Sequence, residues 1–386
     1  MWFLRESSEN FFNVSPDCLY LTFIYTEIIV EEKEDSLLSG VKEIARRAKV
    51  SRATVDRVIH NRPGVSLKTK NRINAIIEEL EYQPNVLAQR LALTSRGILR
   101  LAVLLPDISQ ETEYWKAPLE GINKAETEIK QYGLQVDYYF FDQNEQAVFA
   151  EQVRLIMENK PDGVLITPTF ETESIALLSY CKAKKIPCVL MNSDIPGQQR
   201  LCYIGPELFD SGYLSAQLVH YCLKEKQKVM IVNIAREIEN NVAILRKEEG
   251  FLAYFKEKLS EDLLVSLNTT DTSYPAVAGK LNELLQEEYH VGVIYVTNSR
   301  VSLVAKWLES IGRNDIILIG YDYLDSNIEF LKKGIIDFLL CEKPQEQGYR
   351  SVMTLFQFLV FSTVVKEDYL IPIDIITSAN YRYYRN

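Results

Sequence analysis

Two arginines, Arg52 and Arg57, stand within the short run from Ser51 to Asn61. A guanidinium offers paired donors that match guanine O6 and N7, so these two side chains suit a base edge. Ser51, Thr54, His60 and Asn61 have the chemistry for phosphate oxygens, which fix register and not sequence. A second polar set lies downstream, each member just after an apolar run. It comprises Asp107, Tyr114 and Trp115, then Asp142, Thr167 and Thr169, then Asn192 and Asp194; Asn233, Arg236, Asn298 and Asp322 complete it. Carboxylates and amides take paired hydroxyls, and an aromatic face covers the C–H face of a ring. Taken singly, each could equally be a helix cap; together they suit a polyhydroxylated ligand.

The first set needs helices to present it. Val41, Ile44, Ala45 and Ala48 share a face by helical spacing; Ala53, Val55, Val58 and Ile59 form a second stripe, and Ile73, Ile76, Ile77 and Leu80 a third. Only Lys49, Val50 and Ser51 separate the first two, with Ser51 a natural N-cap, and Ser66 can cap the third after Pro63-Gly64. Two short helices joined by a tight turn, then a supporting helix, predict a helix-turn-helix whose second helix enters the major groove.

The second set needs strand ends. Apolar, β-branched runs fall at 98–105, 163–166, 188–191, 229–232, 291–296 and 316–319, with an aromatic strand at 134–141. Amphipathic segments such as 116–131, 149–159 and 211–224 separate them. Strands apolar throughout, alternating with helices, predict an α/β fold with parallel sheets covered on both faces. About 290 residues exceed one ordinary sheet, so two doubly wound lobes are expected. In such sheets ligands bind beyond the carboxyl ends of the strands.

Charge divides the chain in the same places. The 386 residues carry a net charge of −10, yet residues 39–100 hold 13 basic and 5 acidic side chains, a net of +8. Residues 1–38 are at −6 and the remainder at −12. A basic module in an acidic protein implies a nucleic-acid partner. With 47% apolar and 25% charged residues, wholesale disorder is excluded. The six cysteines show no CxxC pair and there are only three histidines, so reduced, buried thiols are expected and neither a metal nor a cofactor is. Residues 1–38 are expected to be a poorly ordered extension without a secretory signal, which places the protein in the cytoplasm and off the membrane.

The run VKEIARRAKVSRATVDRVIHNRPGVSLKTKNRINAIIEELEYQPNVLAQRLA, Val41 to Ala92, resembles the DNA-binding headpiece of the lactose-repressor (LacI/GalR) family of transcription regulators. The resemblance implies that Arg52, Ala53 and Arg57 read bases. It also implies that residues 84–97 are a hinge helix and linker whose Leu91 wedges into the minor groove of operator DNA. Two positions depart from the family pattern: Asp56 stands where serine is usual, and Lys49 where the turn usually has glycine.

From residue 98 onward the chain resembles the family's periplasmic-binding-protein-like type I body. The marks are LAVLLPDIS, NSD at 192–194, YIG and DSG around 203–212, GYD at 320–322 and PQEQGYRS at 344–351, which contains Gln347. The resemblance implies that Asp322 holds sugar hydroxyls. The family arginine falls on Lys247, with Arg246 beside it. The domains expected are thus the headpiece at 39–83, the hinge at 84–97 and the body at 98–386. Lobe 1 takes about 98–203 and 343–366; lobe 2 takes 204–342 and 367–386.

The leading reading is a homodimeric regulator, or a tetramer, whose operator affinity responds to a sugar-like effector. A sugar-binding protein without DNA readout would share the body, but the headpiece argues against it. An enzyme finds no support: P-loop, GxGxxG, GxSxG and HExxH motifs are absent. His220 and His290 are expected to be surface or packing residues.

Overall fold

The computed structural model describes residues 40–59, 64–80, 98–108, 113–236, 238, 241–256, 258, 263–287 and 290–386. The expected extension 1–38, the hinge 84–97, His60, Asn61 and Leu91 lie outside the described residues. The chain divides into two units, Met1–Gln89 and Arg90–Asn386.

In the first unit, α1 (Val41–Arg47), α2 (Arg52–Ile59) and α3 (Leu67–Glu79) follow the three apolar stripes. Ile44, Ala45, Ala48, Val55, Val58 and Ile73 form the buried core, while Ala53 is exposed and takes no part in it. Both serines cap: Ser51 Oγ accepts from Thr54 N at 3.1 Å and Ser66 Oγ from Thr69 N at 3.3 Å. Glu43 is buried between Arg46 and Arg47, and Arg47 also pairs with Glu79 at 3.0 Å, tying α1 to α3. Hydrogen bonds from the two guanidiniums hold the Glu43 carboxyl down at about 2.

Lys49, in the turn, has φ +50°. This left-handed backbone costs a side-chain-bearing residue about 1–2 kcal/mol, partly offset in glycine by its greater unfolded-chain entropy. Lys49→Gly is therefore expected to stabilise the headpiece by about 0.5–1 kcal/mol. Slower amide exchange across α1–α3 would register the gain; unchanged exchange would mean that the turn carries no strain.

The second unit contains two six-stranded sheets. In strand order the first runs β11-β5-β4-β3-β1-β2 and the second β12-β10-β9-β8-β6-β7. The first is built of β1 (Leu99–Pro106), β2 (Leu134–Phe141), β3 (Gly163–Ile166), β4 (Cys188–Met191), β5 (Cys202–Gly205) and β11 (Asp368–Leu370). The second is built of β6 (Lys228–Ile234), β7 (Leu264–Thr269), β8 (Val291–Val296), β9 (Ile317–Tyr321), β10 (Phe338–Cys341) and β12 (Asp374–Ile376). Every pairing is parallel except β10 with β12. Apart from its last strand, each sheet has the doubly wound order 2-1-3-4-5, with a switch point between its first and third strands.

Continuous apolar strands are needed because both faces are covered. Along β1, Leu101, Val103 and Leu105 join one core with Ile122 and Ala125 of α4 (Lys116–Ile129) and with Val352 and Leu355 of α12 (Pro344–Phe361). Ala102 and Leu104 join the opposite core, with Phe149 of α5 (Gln146–Asn159) and Leu177 of α6 (Glu171–Lys184). Lobe 2 repeats the plan. There α7 (Leu208–Cys222) and α8 (Val242–Phe255) cover one face, and α9 (Tyr274–Glu287), α10 (Val301–Ile311) and α11 (Asp325–Lys332) lie over the other. Four of the five described cysteines are buried and Cys222 is half-buried. His220 is exposed, its Nδ1 3.1 Å from the Tyr254 hydroxyl.

The chain crosses between lobes three times: after β5, after β10 and after β11. Two of these points differ from the sequence expectation. Ile204 and Gly205 stay in lobe 1, because β5 pairs with β4. Residues 367–370, expected in lobe 2, add β11 beside β5, with Tyr203 N donating to Glu367 O at 2.8 Å. An exposed three-residue edge strand has no apolar alternation to betray it.

Candidate functional site

The turns after the strands of both lobes open onto one cleft. Lobe 1 contributes Tyr114 and Trp115, Gln143 and Asn144, Thr167 to Phe170, and Asn192 with Ser193. Lobe 2 contributes Arg236, the start of α8 with Lys247, Thr297 to Arg300, Asp322 and Glu342. The cleft encloses about 160 Å³.

The fourth strands of the two lobes end alike. Asn192 follows β4 at φ +70°, its N–H donating to Ile204 O; Asp322 follows β9 at φ +73°, its N–H donating to Leu340 O, both at 3.0 Å. Asn and Asp tolerate this left-handed backbone better than other side-chain-bearing residues. The same turn thus delivers an amide to one wall of the cleft and a carboxyl to the other.

On the lobe 1 wall, Tyr114 and Trp115 pack edge to face at 4.9 Å between centroids. The Tyr114 hydroxyl donates to Asn192 Oδ1 at 2.7 Å, and Trp115 Nε1 donates to Gln143 Oε1 at 3.2 Å. The rings are therefore held in place before any ligand arrives.

On the lobe 2 wall, α7 and α8 approach so closely that a Cβ on Gly212 would lie 1.8 Å from Lys247 O, and one on Gly250 1.9 Å from Phe209 O. These glycines bring Lys247 into the interior. Its Nζ lies 3.1 Å from Glu342 Oε1 and 3.6 Å from the centroid of the Tyr321 ring. Ser211 Oγ donates to the same Glu342 oxygen at 2.8 Å.

Asp322 is buried beside this pair, and its Oδ1 has no partner among the described residues. Burial, reinforced by the Glu342 charge and opposed by Lys247, pushes its carboxyl up to about 7. Thr167 Oγ1, on the other wall, is also buried without a partner. Buried polar atoms are nearly always satisfied, so two orphans facing one cleft mark positions for ligand groups.

Of the sequence candidates, Tyr114, Trp115, Thr167, Asn192, Lys247, Asn298 and Asp322 line the cleft, and Arg236 and Thr169 join them. Four do not. The Asp142 carboxylate turns back to accept from Asn144 N and Nδ2, at 2.8 and 2.9 Å. Asp194 is held by Arg200 at 2.7 and 2.8 Å. Arg246 is exposed on α8, over the Phe209 ring and paired with Glu249. Gln347 is wholly buried in α12, donating to Glu342 O at 2.7 Å. Asn233 is locked between strands by Asn268 and Thr297. Glu342 and Arg300 were missed. Glu342 directly follows β10, so reading the residue after that four-residue strand would have found it. Among the described residues, no group of three or more His, Cys, Asp or Glu is placed to hold a metal.

In the first unit, Val55 and Val58 turn inward, which leaves Arg52, Ala53 and Arg57 exposed on α2. Thr54 is half-buried, and its hydroxyl lies 2.9 Å from that of Ser51. The cap therefore occupies part of the hydrogen-bonding capacity that both hydroxyls were expected to offer phosphate.

The chain joins a helix-turn-helix module to a two-lobed body with a polar, aromatic-walled cleft. Residues 40–85 match the bacterial regulatory proteins of the lacI family, and residues 101–362 match the periplasmic binding protein domain. The chain belongs to the periplasmic binding protein domain family, and it carries a lacI-family module at residues 40–85 ahead of that body. It is 27% identical over 154 residues to catabolite control protein A of Staphylococcus epidermidis, covering 40% of this chain and 44% of that protein. The HTH-type transcriptional regulator RegA of Clostridium acetobutylicum is 27% identical over 159 residues, 41% of this chain and 44% of its own. The chain thus spans less than half the length of these curated relatives. A crystal structure of a candidate LacI transcriptional regulator from Bacteroides fragilis superposes with a TM-score of 0.70 at 25% identity, covering 75% of this chain and all of that one. The glucose-galactose binding protein GanP of Geobacillus stearothermophilus, at TM-score 0.64 and 21% identity over 74% of this chain and 99% of its own, shares the fold. These families are regulatory and binding families, not enzyme families. No helix among the described residues is long and apolar enough to cross a membrane.

Proposed function

We propose that this chain is a sequence-specific transcription regulator, a repressor, whose affinity for double-stranded operator DNA is set by a sugar or sugar derivative held in the cleft. It acts in the cytoplasm as a homodimer, matching a palindromic operator with its own two-fold symmetry. The observation that carries the reading is the presence in one chain of α2, with Arg52 and Arg57 turned outward, and a cleft walled by Tyr114, Trp115 and the bare Asp322 carboxyl. The likeness of the body to structures of sugar-binding proteins supports the ligand class. A sugar-binding protein without DNA readout would need the cleft but not an arginine-bearing recognition helix.

Effector and operator binding are linked. Whatever factor the sugar imposes on operator affinity, the operator imposes on sugar affinity. Selection of a binding site from random duplexes, followed by anisotropy titrations at several salt concentrations, tests the DNA half. Arg52→Ala is expected to cost about 1–3 kcal/mol and to relax specificity at a single base pair. If the wild-type protein enriches no sequence, the regulator reading fails. A thermal-shift panel of sugars tests the other half, because a ligand that binds the folded state raises its melting temperature.

A further inference from the structure

A second hollow lies beside the cleft. Arg236, Ser299 and Arg300 line both, so the two spaces adjoin at a neck of these three residues. Beyond the neck, the walls are the turns that follow β7, β8 and β9, with Glu113 of lobe 1 at the border. This groove measures about 960 Å³, within the usual small-ligand range of about 300–1,000 Å³, against about 160 Å³ for the cleft.

The two spaces differ in chemistry. The cleft has Tyr114, Trp115 and Phe170 for stacking, whereas no aromatic among the described residues lines the groove. Its lining is rich in hydroxyls, including Thr270, Thr272, Ser273, Ser302 and Ser326. Three carboxylates, Glu113, Asp271 and Asp325, share that lining. Arg236 and Arg300 offset part of that charge, so the lining offers both donors and acceptors, which an apolar ligand would leave unsatisfied. Neutral ligand hydroxyls, each both donor and acceptor, satisfy the two kinds of wall.

Building on the sugar-effector reading above, we propose that the effector is longer than one sugar ring. One unit stacks in the cleft against Tyr114 and Trp115. A second, neutral and unstacked, passes the neck between Arg236 and Arg300 and fills the groove. The specificity of the regulator for chain length then resides in the groove.

Calorimetry of the full-length protein tests this with D-glucose, D-galactose and their 1,4-linked di- and trisaccharides. The expected result is a disaccharide that binds about tenfold or more tightly than its monosaccharide. Ser326 is exposed in the first turn of α11, so Ser326→Trp should fill the groove without disturbing the fold. It should remove the gain from length and leave monosaccharide affinity unchanged; Thr272→Trp, on the opposite wall, should do the same. Equal affinity for one and two rings, or a length gain that survives both substitutions, overturns the proposal. Binding of no sugar of any length overturns the sugar-effector reading, and this proposal with it.

Discussion

Replacing Asp322 with asparagine is expected to abolish the effector response while leaving operator affinity unchanged. The variant keeps the shape and tolerates the same left-handed backbone, but it loses the carboxylate whose Oδ1 lies bare and buried in the cleft. The same change should alter stability in the opposite direction. Asp322 sits at about 7 in the folded chain, against about 3.9 for an unperturbed aspartate. A raised carboxyl favours the folded state most below the lower value, and that advantage is lost as the pH rises through the higher one. Asparagine cannot ionise, so at pH 8 the variant should be more stable than the wild type by roughly 2–4 kcal/mol, and the difference should fade in acid. Sugar hydroxyls donate best to the ionised form, so wild-type effector affinity should rise between pH 6 and pH 8. Full effector affinity in Asp322→Asn, measured calorimetrically, would remove this residue from the site.

Lys247→Met should be the most destabilising single change in the cleft wall. It keeps the side-chain volume but strands Glu342, which has few other partners in its buried setting beyond the Ser211 hydroxyl. Removing one member of a buried pair typically costs about 3–5 kcal/mol, whereas replacing both with apolar groups is often neutral. The double variant Lys247→Met/Glu342→Leu should therefore regain most of the loss, and a double-mutant cycle from urea unfolding measures the coupling. The single change should also shift Asp322, because Lys247 opposes its upward displacement. Without that ammonium, effector affinity should need a higher pH to develop. A loss below about 1 kcal/mol would mean that solvent screens the pair as it does at a surface.

How much could be read in advance depended on element length and on what each side chain had to touch. The stripes of α1–α3 were legible because helical spacing separates core from surface; Ala53 was the exception, since a small apolar residue fits either side. The long strands β1 and β8 were legible as apolar runs, almost wholly buried, and β2 as an aromatic run with alternating burial. The three-residue strands β11 and β12 offered no period to read, and the last crossing between lobes was misplaced with them. Strand ends located the cleft, but position alone could not separate Asp322 from Asp194. Both follow a fourth strand; one is bare and buried, the other is neutralised by Arg200, which lies six residues further along the chain. Only three-dimensional pairing tells them apart.

Lobe 1 is begun before lobe 2 and is still incomplete when nearly all of lobe 2 has been made. Its strands β1–β5 are made by Gly205, but α12 and β11 are made only after the whole sheet of lobe 2 except its final strand. At about 5–20 residues per second, the interval from β5 to α12 lasts on the order of ten seconds. Throughout it, Ile122, Ala125, Leu165 and Val189 await the α12 side chains, Val352 and Leu355, that will cover them. The nascent chain therefore carries an open apolar face for far longer than folding itself should take, which makes it a natural client for chaperones during its own translation.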